Sequence, residues 1–182
     1  MTTRAPREIA PKVLELCNEI KPGSGAVWVP VKTMKNAIQN DCFKNVAKKI
    51  KRDGGSIQYG WVIWEWVHVL VEAEFHAVWR SPDARLACVS PNDQNEDKIL
   101  FLPDDSRSFD GINRIDNIRK SLRKEAVVDE FIRVSQQLVK EQERLTVGQF
   151  GLVKVSWPPY FRELAVRHLK LMEEIKRLPP LP

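Results

Sequence analysis

The chain has 182 residues, 43% hydrophobic and 29% charged, with a formal net charge of +5 and three widely spaced cysteines. That length supports a sizeable core, and no apolar run nears the roughly 20 residues of a membrane span. The cysteine spacing excludes a disulfide framework and a paired CxxC zinc site, and the charge permits an acidic partner without demanding nucleic acid.

One domain, 1–182, is expected: an α+β core over 1–120 and a helical C-terminal extension packed on it over 121–182. The opening MTTRAPREIAPK has no apolar signal-peptide core, so the expected compartment is the cytoplasm. Apolar spacing predicts a helix over Ile9 to Ile20, with Val13, Leu14, Leu16, Cys17 and Ile20 on its buried side and Pro11 in its first turn. Cys17 reads as a small core hydrophobe. Pro22 to Gly25 ends the helix and lacks the GxxxxGK[ST] order of a phosphate loop. Ala26 to Val31 is a short extended segment.

Asn40 or Asp41 is expected to cap a second helix running to about Arg52, with Phe43, Val46, Ala47 and Ile50 as its stripe and Gly54-Gly55 as its stop. Cys42 falls in the first turn, where the helix end favours a thiolate and lowers the pKa. A cysteine merely buried near the core is the competing reading. Lys48, Lys49, Lys51 and Arg52 suit the far end of the helix dipole as a solvated face.

Gly60 to Pro91 is the organising stretch, with four of the six tryptophans and two of the three histidines. Trp61 to Trp66 reads as one strand. From Glu72 to Trp79 the pattern alternates, with Ala73, Phe75, Ala77 and Trp79 on one face and Glu72, Glu74, His76 and Val78 on the other. Ser81 to Ala84 is a turn and Leu86 to Ser90 a third strand, giving an antiparallel meander. A three-residue loop would set Cys88 directly across from His76. Asn92 to Lys98 reads as a loop, Ile99 to Leu102 as a strand, and Asp104, Asp105 and Asp110 as turn and cap residues without the EF-hand order. Helices follow over about Lys124 to Leu145 and from Pro158-Pro159 onward, with a break or short strand over Thr146 to Ser156. The last helix has the stripe Phe161, Leu164, Ala165, His168, Leu169, Met172 and Ile175, and His168 reads as a satisfied core-edge histidine. The tail Pro179 to Pro182 can adopt polyproline II.

A cysteine at a helix start, a histidine on a strand and a polar position on the next strand form the pattern of a thiol nucleophile with its base. With the strings Asp41-Cys42-Phe43 and Phe75-His76-Ala77-Val78-Trp79, this order resembles the papain-like superfamily in its transglutaminase-like and NlpC-type branches, over about Gln39 to Pro91. The resemblance implies Cys42 as nucleophile, His76 as general base and Gln39 as an oxyanion donor, acting on a peptide or protein amide without a cofactor. The third member departs from it: Cys88 stands where an acid is expected, and a thiol is a poor acceptor. Asp93, Asn92 or Asp83 could supply the carboxylate or amide instead. The alternative is a non-catalytic interaction protein on the same scaffold, binding a protein partner or, less readily, nucleic acid through exposed aromatics. The tryptophans read more simply as core. Zinc held by Cys42, His76 and Cys88 is a further arrangement to be tested.

Overall fold

The computed structural model describes residues 3–111, 115–146 and 157–179. Its elements are α1 (Pro11–Ile20), β1 (Val27–Pro30), α2 (Cys42–Asp53), β2 (Ser56–Trp66), β3 (Leu70–Arg80), β4 (Leu86–Ala87), β5 (Lys98–Pro103), β6 (Ile118–Ser121), α3 (Ala126–Thr146) and α4 (Pro159–Lys176). The class is α+β, with an antiparallel sheet and a helical C-terminal part. The chain divides into two compact units, Thr2–Val67 with Val71–Ile118, and Met1 with His68–Leu70 and Arg119–Pro182. The break expected over Thr146 to Ser156 and the proline tail fall at 147–156 and 180–182, outside the described residues.

In the first unit the strand order is β1-β5-β2-β3-β4. β1 pairs β5 antiparallel through Trp28↔Leu100, and β5 pairs β2 through Val62↔Phe101. The two ends of this order also meet. Val31 and Cys88 form a parallel bridge, in which Cys88 N–H donates to Pro30 O and Lys32 N–H to Cys88 O. The strands therefore close on themselves around Val29, Val62, Val78, Cys88, Ile99 and Phe101. Outside, Cys42 and Val46 of α2 pack on Ala77 and Val89. Strand β3 is thus covered on both faces at Ala77 and Val78, and both are fully buried.

The β3–β4 register differs from the sequence expectation. The pairs are Trp79↔Ala87 and Arg80↔Leu86, two residues away from a Cys88–His76 pair. The loop still has three residues but lies one residue later, Pro82 to Ala84: Ser81 N–H donates to Arg85 O, Ala84 N–H to Ser81 O, and Ala84 takes a φ of 63°. A shift of two residues preserves the face of every side chain, so Cys88 and His76 remain on one face as diagonal neighbours.

Three helix stripes are narrower than expected. Leu14 is 47% exposed because Val13, Leu16 and Cys17 take the buried side of α1. On α2 the buried positions are Cys42, Asn45 and Val46, which turns Ala47 outward. On α4 the buried positions are Leu171 and Ile175. Leu169, two residues from Leu171 and so on the opposite side of the helix, is 54% exposed. The tryptophans are largely core: Trp61 is fully buried with Nε1 donating to Asp104 Oδ2 at 3.0 Å, and Trp64, Trp66 and Trp79 are half-buried.

The second unit is built on the α3–α4 pair, with Val128, Phe131 and Val134 and the α4 residues Leu171 and Ile175 buried. His168 stacks on Phe131 at 4.6 Å, and its Nε2 lies 3.0 Å from Ser135 Oγ. It is a satisfied core-edge histidine.

Gly55 shows what the α2–β2 link demands. It adopts φ +86°, and a Cβ there would lie 2.2 Å from Arg80 O. A left-handed backbone costs a non-glycine residue about 1–2 kcal/mol before any clash. Gly55→Ala is expected to destabilise the fold by about 2 kcal/mol or more, read as a lower urea midpoint with unchanged slope.

Candidate active site

Strand β4 ends at Ala87, and the next residues leave β3. Cys88 and Val89 pair instead with Pro30, Lys32 and Met34. The edge of β3 is left open beside His76 and Ala77, and the start of α2 occupies that opening. Leading into it, the loop after β1 is tied by Met34 N–H to Val89 O and Ala37 N–H to Met34 O. Asn36 and Asn40 take positive φ values of 64° and 59°, which asparagine tolerates. Asp41 is the N-cap residue of α2 but makes no side-chain cap bond; its carboxylate lies 3.2 Å from Lys44 Nζ.

Cys42 is therefore the first helical residue, as the sequence indicates, yet its thiol is not activated. It packs on Val46, Ala77 and Val89. Burial pushes it up to about 12, against hydrogen bonds from the backbone of Ala77 and Phe43 that act the other way, while Glu74 and Cys88 push it up further. The lowered pKa expected of a helix start is reversed because desolvation outweighs the half-charge of the helix end.

His76 projects inward from β3. Its Nε2 lies 3.5 Å from Cys88 Sγ, and Cys88 Sγ lies 3.7 Å from Ser90 O as donor. A carbonyl can only accept, so the arrangement that uses both contacts has the thiol proton directed to Ser90 O, Nε2–H on the sulfur and the imidazole lone pair on Nδ1. Burial lowers His76 to about 4 and raises Cys88 to about 11. Both shifts come first from burial and favour the neutral forms over a thiolate–imidazolium pair.

Cys42, His76 and Cys88 all line one pocket of about 670 Å³, a size suited to a small ligand or a side chain. Its wall includes Phe43, stacked on Phe109 at 4.1 Å and 13°. Glu74 Oε2 accepts from Trp64 Nε1 at 2.7 Å, and Glu72 Oε2 from Asn117 Nδ2 at 3.1 Å. Gln39 is not among the lining residues; exposed, it donates to Asp93 Oδ1. Its expected place beside an oxyanion is not where the structure puts it. Asp93 lines the pocket mouth and is engaged by Gln39. Asn92 Oδ1 caps its own loop through Gln94 and Glu96 N–H, and Asp83 is held by Ser81 and Arg85 in the hairpin turn. Cys42, His76, Cys88 and Asp93 share the pocket lining, and the direct contact among them is that of His76 Nε2 with Cys88 Sγ; Asp93, Asn92 and Asp83 put no carboxylate or amide on the imidazole. Among the described residues no group of three or more His, Cys, Asp or Glu is arranged to hold a metal ion, so the zinc arrangement does not form.

Sequence reasoning missed Asn45 and Ser90, both buried, and the Phe43–Phe109 wall. Asn45 was legible only as a polar residue one turn after Cys42, and a binary pattern assigns such a residue outward. Phe109 stands alone in a polar stretch, with no periodicity to place it.

Comparison with family models, curated proteins and solved structures gives no match to this chain. No helix among the described residues is long and apolar enough to cross a membrane.

The lowered His76 sets a pH dependence. Unfolded, the imidazole titrates near 6.5; folded, it titrates near 4. Its contribution is fully present above about pH 6.5 and is lost as pH falls toward 4, where the unfolded chain binds the proton first. The expected loss is about 3 kcal/mol. Urea denaturation from pH 7 to 4 should show this slope. His168, also lowered by burial, adds a slope of the same sign, so the His76 share is the part that His76→Gln removes.

Proposed function

We propose that this pocket carries out thiol-dependent acyl transfer from a peptide or protein amide, as hydrolase or acyltransferase, with Cys42 as nucleophile and His76 as general base on a papain-like scaffold. The observation that carries the reading is the contact of His76 Nε2 with Cys88 Sγ inside the pocket that Cys42 lines. Cys88 lies at the orienting position of the pattern, and the contact leaves Nδ1 as the basic nitrogen. Three free thiols fit the reducing cytoplasm.

In the step proposed, the Cys42 S–H proton passes to His76 Nδ1 as sulfur bonds to the carbonyl carbon, and the carbonyl π pair moves to oxygen. The first-turn amides of α2, which lack intrahelical acceptors, are the donors assigned to that oxyanion in this reading. The C–N bond then breaks, the amine leaves with the proton from His76, and water or a second amine cleaves the thioester. Because both groups rest neutral, the proton moves during attack rather than before it, which favours activated acyl donors.

The test uses p-nitrophenyl acetate on the full chain, with peptide mass mapping of the acetyl group. Acetyl is expected on Cys42, formed about 100-fold more slowly or worse in His76→Ala. Acetyl on Cys88, or none on any cysteine, would remove Cys42 as nucleophile. A second reading, binding without catalysis, is favoured by the neutral resting state of Cys42 and His76; it predicts no acetylation at all.

Cys88→Asp separates the two further. A carboxylate at 88 facing Nε2 favours the imidazolium, so the His76 titration followed by NMR should rise well above 4 and Cys42 acetylation should accelerate. An unmoved His76 with a large fall in melting temperature would mean that the pocket cannot house the charge, since an unpaired buried carboxylate costs several kcal/mol.

A further inference from the structure

Asn45 is completely buried on α2, one turn after Cys42. A buried amide with unmet groups is costly, about 1–3 kcal/mol, and this one meets three partners. Its Oδ1 accepts from Ile38 N–H at 3.0 Å. Its Nδ2 donates to Ile38 O at 2.7 Å and to Ser90 Oγ at 3.0 Å. The backbone of Ile38 offers one donor and one acceptor, which settles which way the amide points.

These partners are the supports of the site. Ile38 belongs to the loop that delivers Asp41 and Cys42 to the opening beside β3. Ser90 is the residue whose carbonyl takes the Cys88 thiol proton, and Cys88 in turn contacts His76 Nε2. One side chain thus joins the nucleophile's segment to the segment that selects the imidazole tautomer. An aliphatic residue beside Val46 would fill the same packed face but take this partner from Ile38 N–H, Ile38 O and Ser90 Oγ, so the stability role and the positioning role must be separated by experiment.

We propose that Asn45 is the positioning residue of this site, fixing the Cys42 loop and the Ser90 segment against each other so that His76 keeps its Nε2–H tautomer toward Cys88. The proposal rests on the acyl-transfer reading for its kinetic consequence and on geometry alone for its spectroscopic one. Asn45 does not touch the reacting atoms; it acts through Ser90 and Cys88.

The experiment compares wild type with Asn45→Ala, Ser90→Ala and Ser90→Thr, each checked for folding by circular dichroism at the assay temperature. Imidazole ¹⁵N shifts at pH 7 read the His76 tautomer, with His68 and His168 as internal controls, and p-nitrophenyl acetate reads Cys42 acetylation. Expected in Asn45→Ala are a His76 spectrum moved toward a mixture of tautomers, unmoved controls, and acetylation slowed about tenfold or more, since small misplacements of reacting groups cost that much. Ser90→Ala should show a smaller change of the same kind, and Ser90→Thr, which keeps the hydroxyl, should restore wild-type behaviour. A lower melting temperature with an unmoved His76 spectrum and an unchanged rate would overturn the proposal and leave Asn45 as packing. If wild type is not acetylated on Cys42, the acyl-transfer reading fails by itself, and the His76 spectrum decides the role of Asn45. If Asn45→Ala does not fold, the Ser90 pair decides it: no difference between Ala and Thr at 90 overturns the proposal.

Discussion

The site depends on the bridge between Val31 and Cys88. An antiparallel meander would continue pairing β4 with β3, and the two-residue length of β4 prevents that. By turning to β1, the chain closes the sheet and leaves a gap at the middle of β3. Ala77, beside that gap, packs against Cys42. Closure and opening are one event: the backbone hydrogen bonds that seal the strands on one side are those withdrawn on the other.

The electrostatics follow from the same closure. Interior positions of a small closed sheet are poor in water, and a charge there has few dipoles to replace its hydration. His76 and Cys88 shift toward their neutral forms for this reason, and Cys42 does so because α2 buries it against the outside of the sheet, whatever the helix end contributes. Proximity of thiol to imidazole is thus a separate property from ionisation of the pair.

Much of the fold was legible because the strands carry their period openly. Glu72 to Ala77 alternates polar with apolar, and the stops at Gly54-Gly55 and Ser81-Pro82 have local causes. The diagonal nearness of Cys88 and His76 survived a register error because the error was even. What the sequence hid was of two kinds. Partners distant in the chain, such as Asn45 with Ser90 or Phe43 with Phe109, leave no periodic trace. The protonation of Cys42 depended on how deep the helix start lies, and helix position along the sequence does not report depth.

The bridge between residues 31 and 88 also bears on how the protein folds. Every strand pair in this sheet except the β2–β3 and β3–β4 hairpins joins segments far apart in sequence, as in Trp28 with Leu100. Closing such loops costs entropy before the contacts repay it, so sheets of this kind form slowly. The hairpins, being local, can assemble first, and they already carry Tyr59, Phe75 and Ala77, on which α2 packs; Val89 is the part of that contact that comes with closure. The Cys88 and Ser90 wall of the pocket is thus the part that waits for the pairing with residues 30 to 34, and without closure His76 has no thiol beside it.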